Sequence, residues 1–242
     1  MKNFFILLLL QFCLYLNAQN QKSDIVYVEY KTVKAVNDVI TDLEPQLKKS
    51  LKMYTEAITD IEFQLYANDS IAVFEKKDKL KEENINPLSK LIANGVYYSN
   101  SNSKEKIKHL EMFGELFNVT YPFDEYKWQI TSESKMINGY KCYKAITHKE
   151  SFSKSRNKTI VTNPIAWFSP EIPLNVGPFG LIGLPGLILE ATLNGKIYYY
   201  ATKIDLHYSD KAALKLEKPS KGKYVTEKEL EKIQLGIYDD KN

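Results

Sequence analysis

Along residues 24–36, DIVYVEYKTVKAV, apolar and polar side chains alternate on a run rich in β-branched and aromatic residues, which is the period of a half-buried strand. From Pro45 the spacing lengthens. Leu47, Leu51, Tyr54 and Ile58 recur every three or four residues and predict a short helix with Pro45 near its start. Residues 61–77 return to period two: Ile61, Phe63 and Leu65 share one face, Ile71, Val73 and Glu75 alternate again, and Asn68 and Asp69 between them predict a hairpin turn. Residues 77–95 are charged and then polar, with Pro87 and Gly95 as breakers, and read as a solvated connection.

Residues 95–99 and 114–119 fit a second hairpin, and the polar SNSKEKIKHLE between them fits a connection or one amphipathic turn of helix equally well. The clearest pattern covers residues 126–150. Trp128 and Ile130 stand on one face, Asn138 and Gly139 supply a strong hairpin signal, and Tyr140, Cys142, Ala145 and Ile146 follow. Residues 159–168 predict another strand, and LILEATL and KIYYYATKIDL pair over Asn194 and Gly195. Near the end Thr226 and Glu229 have capping-box spacing ahead of Leu230, Ile233 and Leu235. Seven or eight strands joined by hairpins make a mainly β (β-rich α+β) chain. A sheet of that size curls as twist accumulates, so the expectation is a curved antiparallel sheet or half-barrel meander with one or two short helices, one of them in or beside the concave face.

The first eighteen residues change the domain picture. MKN, then an apolar run, then Leu16-Asn17-Ala18 has the layout of a secretory signal cut before Gln19, which leaves residues 19–242 as a single β-rich domain. The apolar run is short for a membrane span, so no span is expected after cleavage. Cys13 follows the bulky Phe12, an unsuitable neighbour for lipoprotein processing. The formal charge of +3 becomes +2 once Lys2 leaves the 33 basic residues set against 30 acidic ones, and the signs are mixed, which argues against nucleic acid as a partner. Cys142 is then the one remaining cysteine, so no internal disulfide forms and packing alone must hold the fold. It reads as a small buried hydrophobe before it reads as a nucleophile.

Between Lys158 and Glu190 the only charged residue is Glu171, and residues 169–186 hold four of the nine prolines and four of the ten glycines. Proline removes ladder donors and glycine weakens helices by about 1 kcal/mol each, so an ordered irregular loop is expected. Leu174, Val176, Phe179, Leu181, Ile182, Leu184, Leu187, Ile188 and Leu189 cannot all face water. Burying each is worth roughly 1.5 to 3 kcal/mol, so exposing the set forfeits on the order of 10 kcal/mol or more, comparable with the net stability of a whole domain. The loop should fold back onto the sheet.

The string Gly183-Leu184-Pro185-Gly186-Leu187-Ile188, with Ala166 to Pro173 and Gly177-Pro178 upstream, resembles the signature of the GLPGLI family. Trp128-Gln129-Ile130 and residues 137–145, INGYKCYKA, match that family's other recurring strings, so the likeness covers nearly the whole mature chain. What the resemblance implies is export by a Gram-negative bacterium to the periplasm or outer membrane. The family carries no established activity, so it adds little about chemistry.

Candidate chemistry is sparse. His109, His148 and His207 lie in separate segments without an HxH, HExxH or CxxC partner, and no GxSxG elbow, P-loop or dinucleotide fingerprint occurs. Ser169 has no neighbouring base in sequence, and no cofactor is implied. Glu171 and Glu190 bracket the apolar loop and would serve a hydrolase as a carboxylate pair if folding brought them together. As a plain alternative they are a solvated and a strand carboxylate. Trp128, Trp167 and Tyr198 to Tyr200 are core residues first and cavity walls second, although seventeen tyrosines exceed what a small core uses. The leading expectation is therefore a non-catalytic binding or accessory module for an apolar small molecule, lipid, peptide or envelope-protein segment. Its candidate positions are Trp167, Glu171, Pro173, Gly177, Pro178, Gly183, Leu184, Pro185, Gly186, Leu187, Ile188 and Glu190.

Overall fold

The alternating run at the start of the chain becomes the middle of a sheet. In the computed structural model, residues 24–34, 45–46, 49, 53, 61–78, 93–154, 157–208 and 215–236 are described. The strands are β1 (Ile25–Lys34), β2 (Glu62–Ala67), β3 (Ile71–Lys76), β4 (Val96–Asn100), β5 (Glu105–Met112), β6 (Glu115–Thr120), β7 (Gln129–Ile137), β8 (Tyr140–Ile146), β9 (Lys149–Ser153), β10 (Lys158–Thr162), β11 (Ile165–Ser169), β12 (Leu187–Thr192), β13 (Ile197–Tyr208) and β14 (Lys223–Thr226). Helix α1 (Glu227–Gln234) follows β14. Twelve strands form one curved open sheet in the order β14-β6-β5-β4-β3-β2-β1-β13-β12-β11-β8-β7, and β9 and β10 form a separate ribbon.

The mainly β class and the curved sheet agree with the sequence expectation, and four details differ. Among the described residues there are fourteen strands, and residues 105–111 of the polar separator belong to one of them, β5, pairing β4 on one side and β6 on the other. The strand expected over 159–168 breaks at Asn163 and Pro164, where the missing proline donor ends β10 and frees β11 to join the main sheet. Lys223–Thr226 runs parallel to β6, the exception to an otherwise antiparallel arrangement. Ile130 and Trp128 do not share a buried face: Ile130 is half exposed while Trp128, just ahead of β7, packs inward, and the register slips beyond Ile130, before Ser134.

Local turn chemistry held elsewhere. Asn68 Oδ1 accepts from the amides of Ser70 (3.0 Å) and Ile71 (2.8 Å), fixing the β2–β3 hairpin. Asn138 at the β7–β8 turn donates from Nδ2 to the Ala201 carbonyl at 2.7 Å, tying that hairpin to β13. Thr226 and Glu229 form the reciprocal capping box at the start of α1. Of the helix expected from Pro45, only Pro45, Gln46, Lys49 and Met53 are described, and all four are helical; its apolar positions, like the signal sequence, lie outside the described residues.

Period two splits the core across the sheet. Val26, Val28 and Tyr30 of β1 join Phe63, Leu65, Phe74, Leu187, Leu189 and Tyr199 in the largest cluster. Ile25 and Tyr27 point the other way, into a second cluster with Tyr66, Val73, Tyr98 and Ile107, where the Tyr27 and Tyr208 rings stack with centroids 4.5 Å apart. This accounts for part of the tyrosine surplus. Leu230 and Ile233 of α1 pack on Leu110, Phe117 and Val119 beside the β14 edge.

Candidate functional site

The loop from Ser169 to Leu187 is knit to itself and to the sheet by backbone hydrogen bonds. Leu187 donates to the Ile172 carbonyl (2.9 Å), Ile188 to Val176 (3.0 Å) and Leu181 to Pro178 (3.0 Å). Two side chains pin it from outside: Trp128 Nε1 donates to the Ile182 carbonyl at 2.8 Å, and the buried Tyr30 hydroxyl donates to the Ile188 carbonyl at 2.7 Å. No described buried side-chain nitrogen or oxygen lacks a partner. Leu181, Leu184, Leu187, Ile188 and Leu189 are all buried, as the transfer argument required. The segment belongs to two clusters: Ile172, Leu174, Val176 and Phe179 pack into the largest, Leu181 and Leu184 into the one around Phe168 and Ala166.

Two glycines are set by space. A Cβ on Gly177 would lie 2.6 Å from Cβ of Ile188, and one on Gly186 would lie 2.1 Å from the Ser169 carbonyl oxygen. Pro178 opens a single 3-10 turn in which Phe179 takes a left-handed conformation with φ of 56°. That strain is held by packing. The Phe179 ring meets Tyr199 at 4.3 Å between centroids, Phe74 at 4.7 Å, and Phe63 and Tyr97 at 5.4 Å each, an aromatic cage drawn from four strands.

Of the candidate positions, Gly177, Pro178, Leu184, Gly186, Leu187, Ile188 and Glu190 are buried, Trp167 is half-buried, and Glu171, Pro173, Gly183 and Pro185 are exposed. Two of the exposed members, Pro173 and Gly183, form a rim at one opening. Pro173, Asn175 and Gly183 border a pocket of about 170 Å³ whose opposite side is the Asn68–Ser70 turn with Ser101, Lys104 and Phe123. Lys104 stands 4.9 Å from the Phe123 ring centroid. The sequence marked Asn68 and Asp69 as turn formers, and no local signal announced that the turn would face the loop.

The two bracketing carboxylates are each committed elsewhere. Glu190 Oε2 accepts from Lys135 Nζ at 2.7 Å, and that ammonium also lies 4.2 Å from the Trp167 ring centroid. Glu171 Oε1 accepts from the Lys141 amide at 2.9 Å. His109 bonds Asn118, His148 bonds Asn163 and Glu150, and His207 bonds Asp24, three separate places. Among the described residues no group of three or more His, Cys, Asp or Glu is placed to hold a metal.

Cys142 is fully buried and burial pushes its thiol up to about 11. Since the thiolate is the reactive form, iodoacetamide is expected to leave Cys142 unmodified in native protein at pH 8 and to alkylate it fully in denaturant, read by intact mass. Rapid native labelling would contradict its placement in the core.

A family model described as a protein of unknown function (Porph_ging) matches residues 148–190, from the β9–β10 ribbon to Glu190. No curated protein matches. Among solved structures, PNGF-II in a C2 crystal form is similar over 91% of this chain and 36% of its own, with 13% identity and a TM-score of 0.54. The same protein in a P21 form gives 87%, 33%, 13% and 0.52. The lipoprotein LppX of Mycobacterium tuberculosis aligns over 80% of this chain and 92% of its own at 11% identity, with a TM-score of 0.30. This chain thus spans about a third of the length of PNGF-II, and at 13% identity the likeness is one of fold. Among the described residues no helix is long and apolar enough to cross a membrane.

Proposed function

We propose that the chain is an exported GLPGLI-type protein whose mature part is a single domain of the Gram-negative cell envelope, acting as a non-catalytic binding or accessory module. Its occupant is a peptide or a segment of an envelope protein lying along the exposed loop residues Glu171, Pro173, Gly183 and Pro185. The observation that carries this reading is the division of labour within the loop: its apolar side chains are spent on the core, while alternate residues are held outward on a rigid, hydrogen-bonded backbone beside a pocket. A surface fixed in this way presents one shape to a partner at little ordering cost. Trp167, Gly177, Pro178, Leu184, Gly186, Leu187, Ile188 and Glu190 then serve by shaping the rim, not by touching the occupant. An apolar small molecule or lipid is the weaker occupant, because Leu184 and Leu187 are packed into the core clusters. The hydrolase reading gains no support from two carboxylates that hold an amide and an ammonium of their own.

The test pairs wild type with the exposed double variant Lys104→Glu, Pro185→Glu in pull-downs from envelope extract, read by native mass spectrometry. Wild type is expected to retain a peptide or protein that the variant loses, with both melting alike. An identical set of captured species on the two proteins rejects the rim.

A further inference from the structure

A second opening lies on the far side of Phe179, apart from the rim. It is a cleft of about 250 Å³, room for roughly eight waters, where Tyr97, Tyr121, Tyr126 and Phe179 face Lys106, Lys149, Glu125 and Glu227. Six parts of the chain supply these groups: β4, β5, the segment after β6, the β9–β10 ribbon, the 3-10 turn at Phe179 and the first residue of α1. The charges are unevenly buried. Lys106 and Glu125 keep 3% and 6% of their side-chain surface, Lys149 keeps 24% and Glu227 keeps 50%.

Glu125 is shared. One oxygen pairs with Lys106, the other accepts from Lys149 Nζ at 2.7 Å, and Glu227 reaches Lys149 only at 3.5 Å from the mouth. The interior therefore holds two ammonium groups on one carboxylate. Lys108, two residues along β5 from Lys106, stands outside the lining with its ammonium 5.2 Å from the Tyr97 ring centroid. Burial lowers the pKa of Lys106 and Lys108, against the pull of Glu125 and Glu227. For Lys149 burial acts the same way, but its bonds to Glu125 prevail and hold its ammonium above the usual value. Lys106 also lies 4.4 Å from the Tyr126 ring centroid, and an ammonium with three donors that gives one or two of them to protein carboxylates has donors to offer a ligand.

We propose that this cleft is a binding site for a small organic oxyanion, a carboxylate or phosphate carried on a ring or short apolar body. The oxyanion sits against Lys149 and Lys106, and its body lies on the faces of Tyr97, Tyr126 and Phe179. Burial raises the phenol pKa of Tyr97, Tyr121 and Tyr126, so these rings stay neutral, with the Tyr126 hydroxyl bonded to Glu125. The Lys106–Glu125–Lys149 group is left beside open space. The site stands independently of the rim, since its residues and those of the rim pocket do not overlap.

The test titrates the full-length mature chain with benzoate, phenyl phosphate and benzyl alcohol, following the tyrosine signals by NMR. One or both anions are expected to bind and the neutral alcohol to bind at least tenfold more weakly; the preferred anion distinguishes carboxylate from phosphate. Lys149→Gln should weaken the anion at least tenfold, Lys149→Arg should retain it within about threefold, and Lys223→Gln, a distant exposed lysine, should change nothing. If Lys149→Gln loses its fold, Lys106→Gln serves instead, because Glu125 keeps its bond to Lys149. Failure of both anions to bind, binding of the alcohol on equal terms, or indifference to both lysine substitutions would overturn the assignment.

Discussion

Gly186→Ala is expected to abolish stable folding. The added methyl would sit 2.1 Å from the Ser169 carbonyl oxygen, 2.5 Å from its carbon and 2.8 Å from Pro170 nitrogen, all backbone atoms that no side-chain rotation can clear. Relief requires moving the end of β11 away from the loop, which breaks the close approach that the hydrogen bonds from Leu187 and Ile188 depend on. Loss beyond about 4 kcal/mol places this among the severe single substitutions. The contrast is Gly139→Ala at the β7–β8 turn, with φ of +84° and nothing within 4 Å of the new methyl, which should cost only about 1 kcal/mol of conformational strain. Thermal melts of the two variants, with recovery of soluble protein, check the pair. Equal behaviour would show that backbone angle, not contact, selects glycine at 186.

Phe179→Ala is expected to cost about 3 kcal/mol. Its ring is half-buried and touches Phe63, Phe74, Tyr97 and Tyr199, so truncation removes apolar area and leaves a gap bounded by four rings that cannot all collapse. Alanine inherits the same left-handed backbone, so strain cancels in the comparison. In a chain of this size the change lowers the melting temperature by roughly 6–12 °C. Phe179→Leu, which restores most of the volume, should recover more than half of the loss. A neutral Phe179→Ala would mean that the cage does not hold the loop down.

Much of this architecture could be read locally. The period of β1, the Asn68 turn, the β7–β8 and β12–β13 hairpins and the Thr226 box depend on residues within a few positions of one another, and each was found. The burial of the loop was readable too, because the number of its apolar side chains leaves no other solution. What the sequence left unread depends on distant partners. Nothing around Lys106, Glu125, Lys149 or Glu227 announces that they meet, since each looks like an ordinary surface charge in its own segment. The same holds for the rings that surround Phe179, and for Lys223–Thr226, whose parallel pairing with β6 is a meeting of segments far apart. The break at Pro164 was available in the composition, and the β-branched residues on either side concealed it.

The placement of β1 governs the order in which this molecule can come together. It is the first strand among the described residues, yet it ends up between β2 and β13, with Tyr30 opposite Ala201 and Val33 opposite Tyr198. Half of the sheet can form early from neighbouring hairpins, but it must wait with an open, sticky flank until the last third of the chain arrives to seal it. Ring closure over such a span is slow, and an unfinished edge invites mispairing with other nascent copies. The flank of β1 stays exposed until β13 is made.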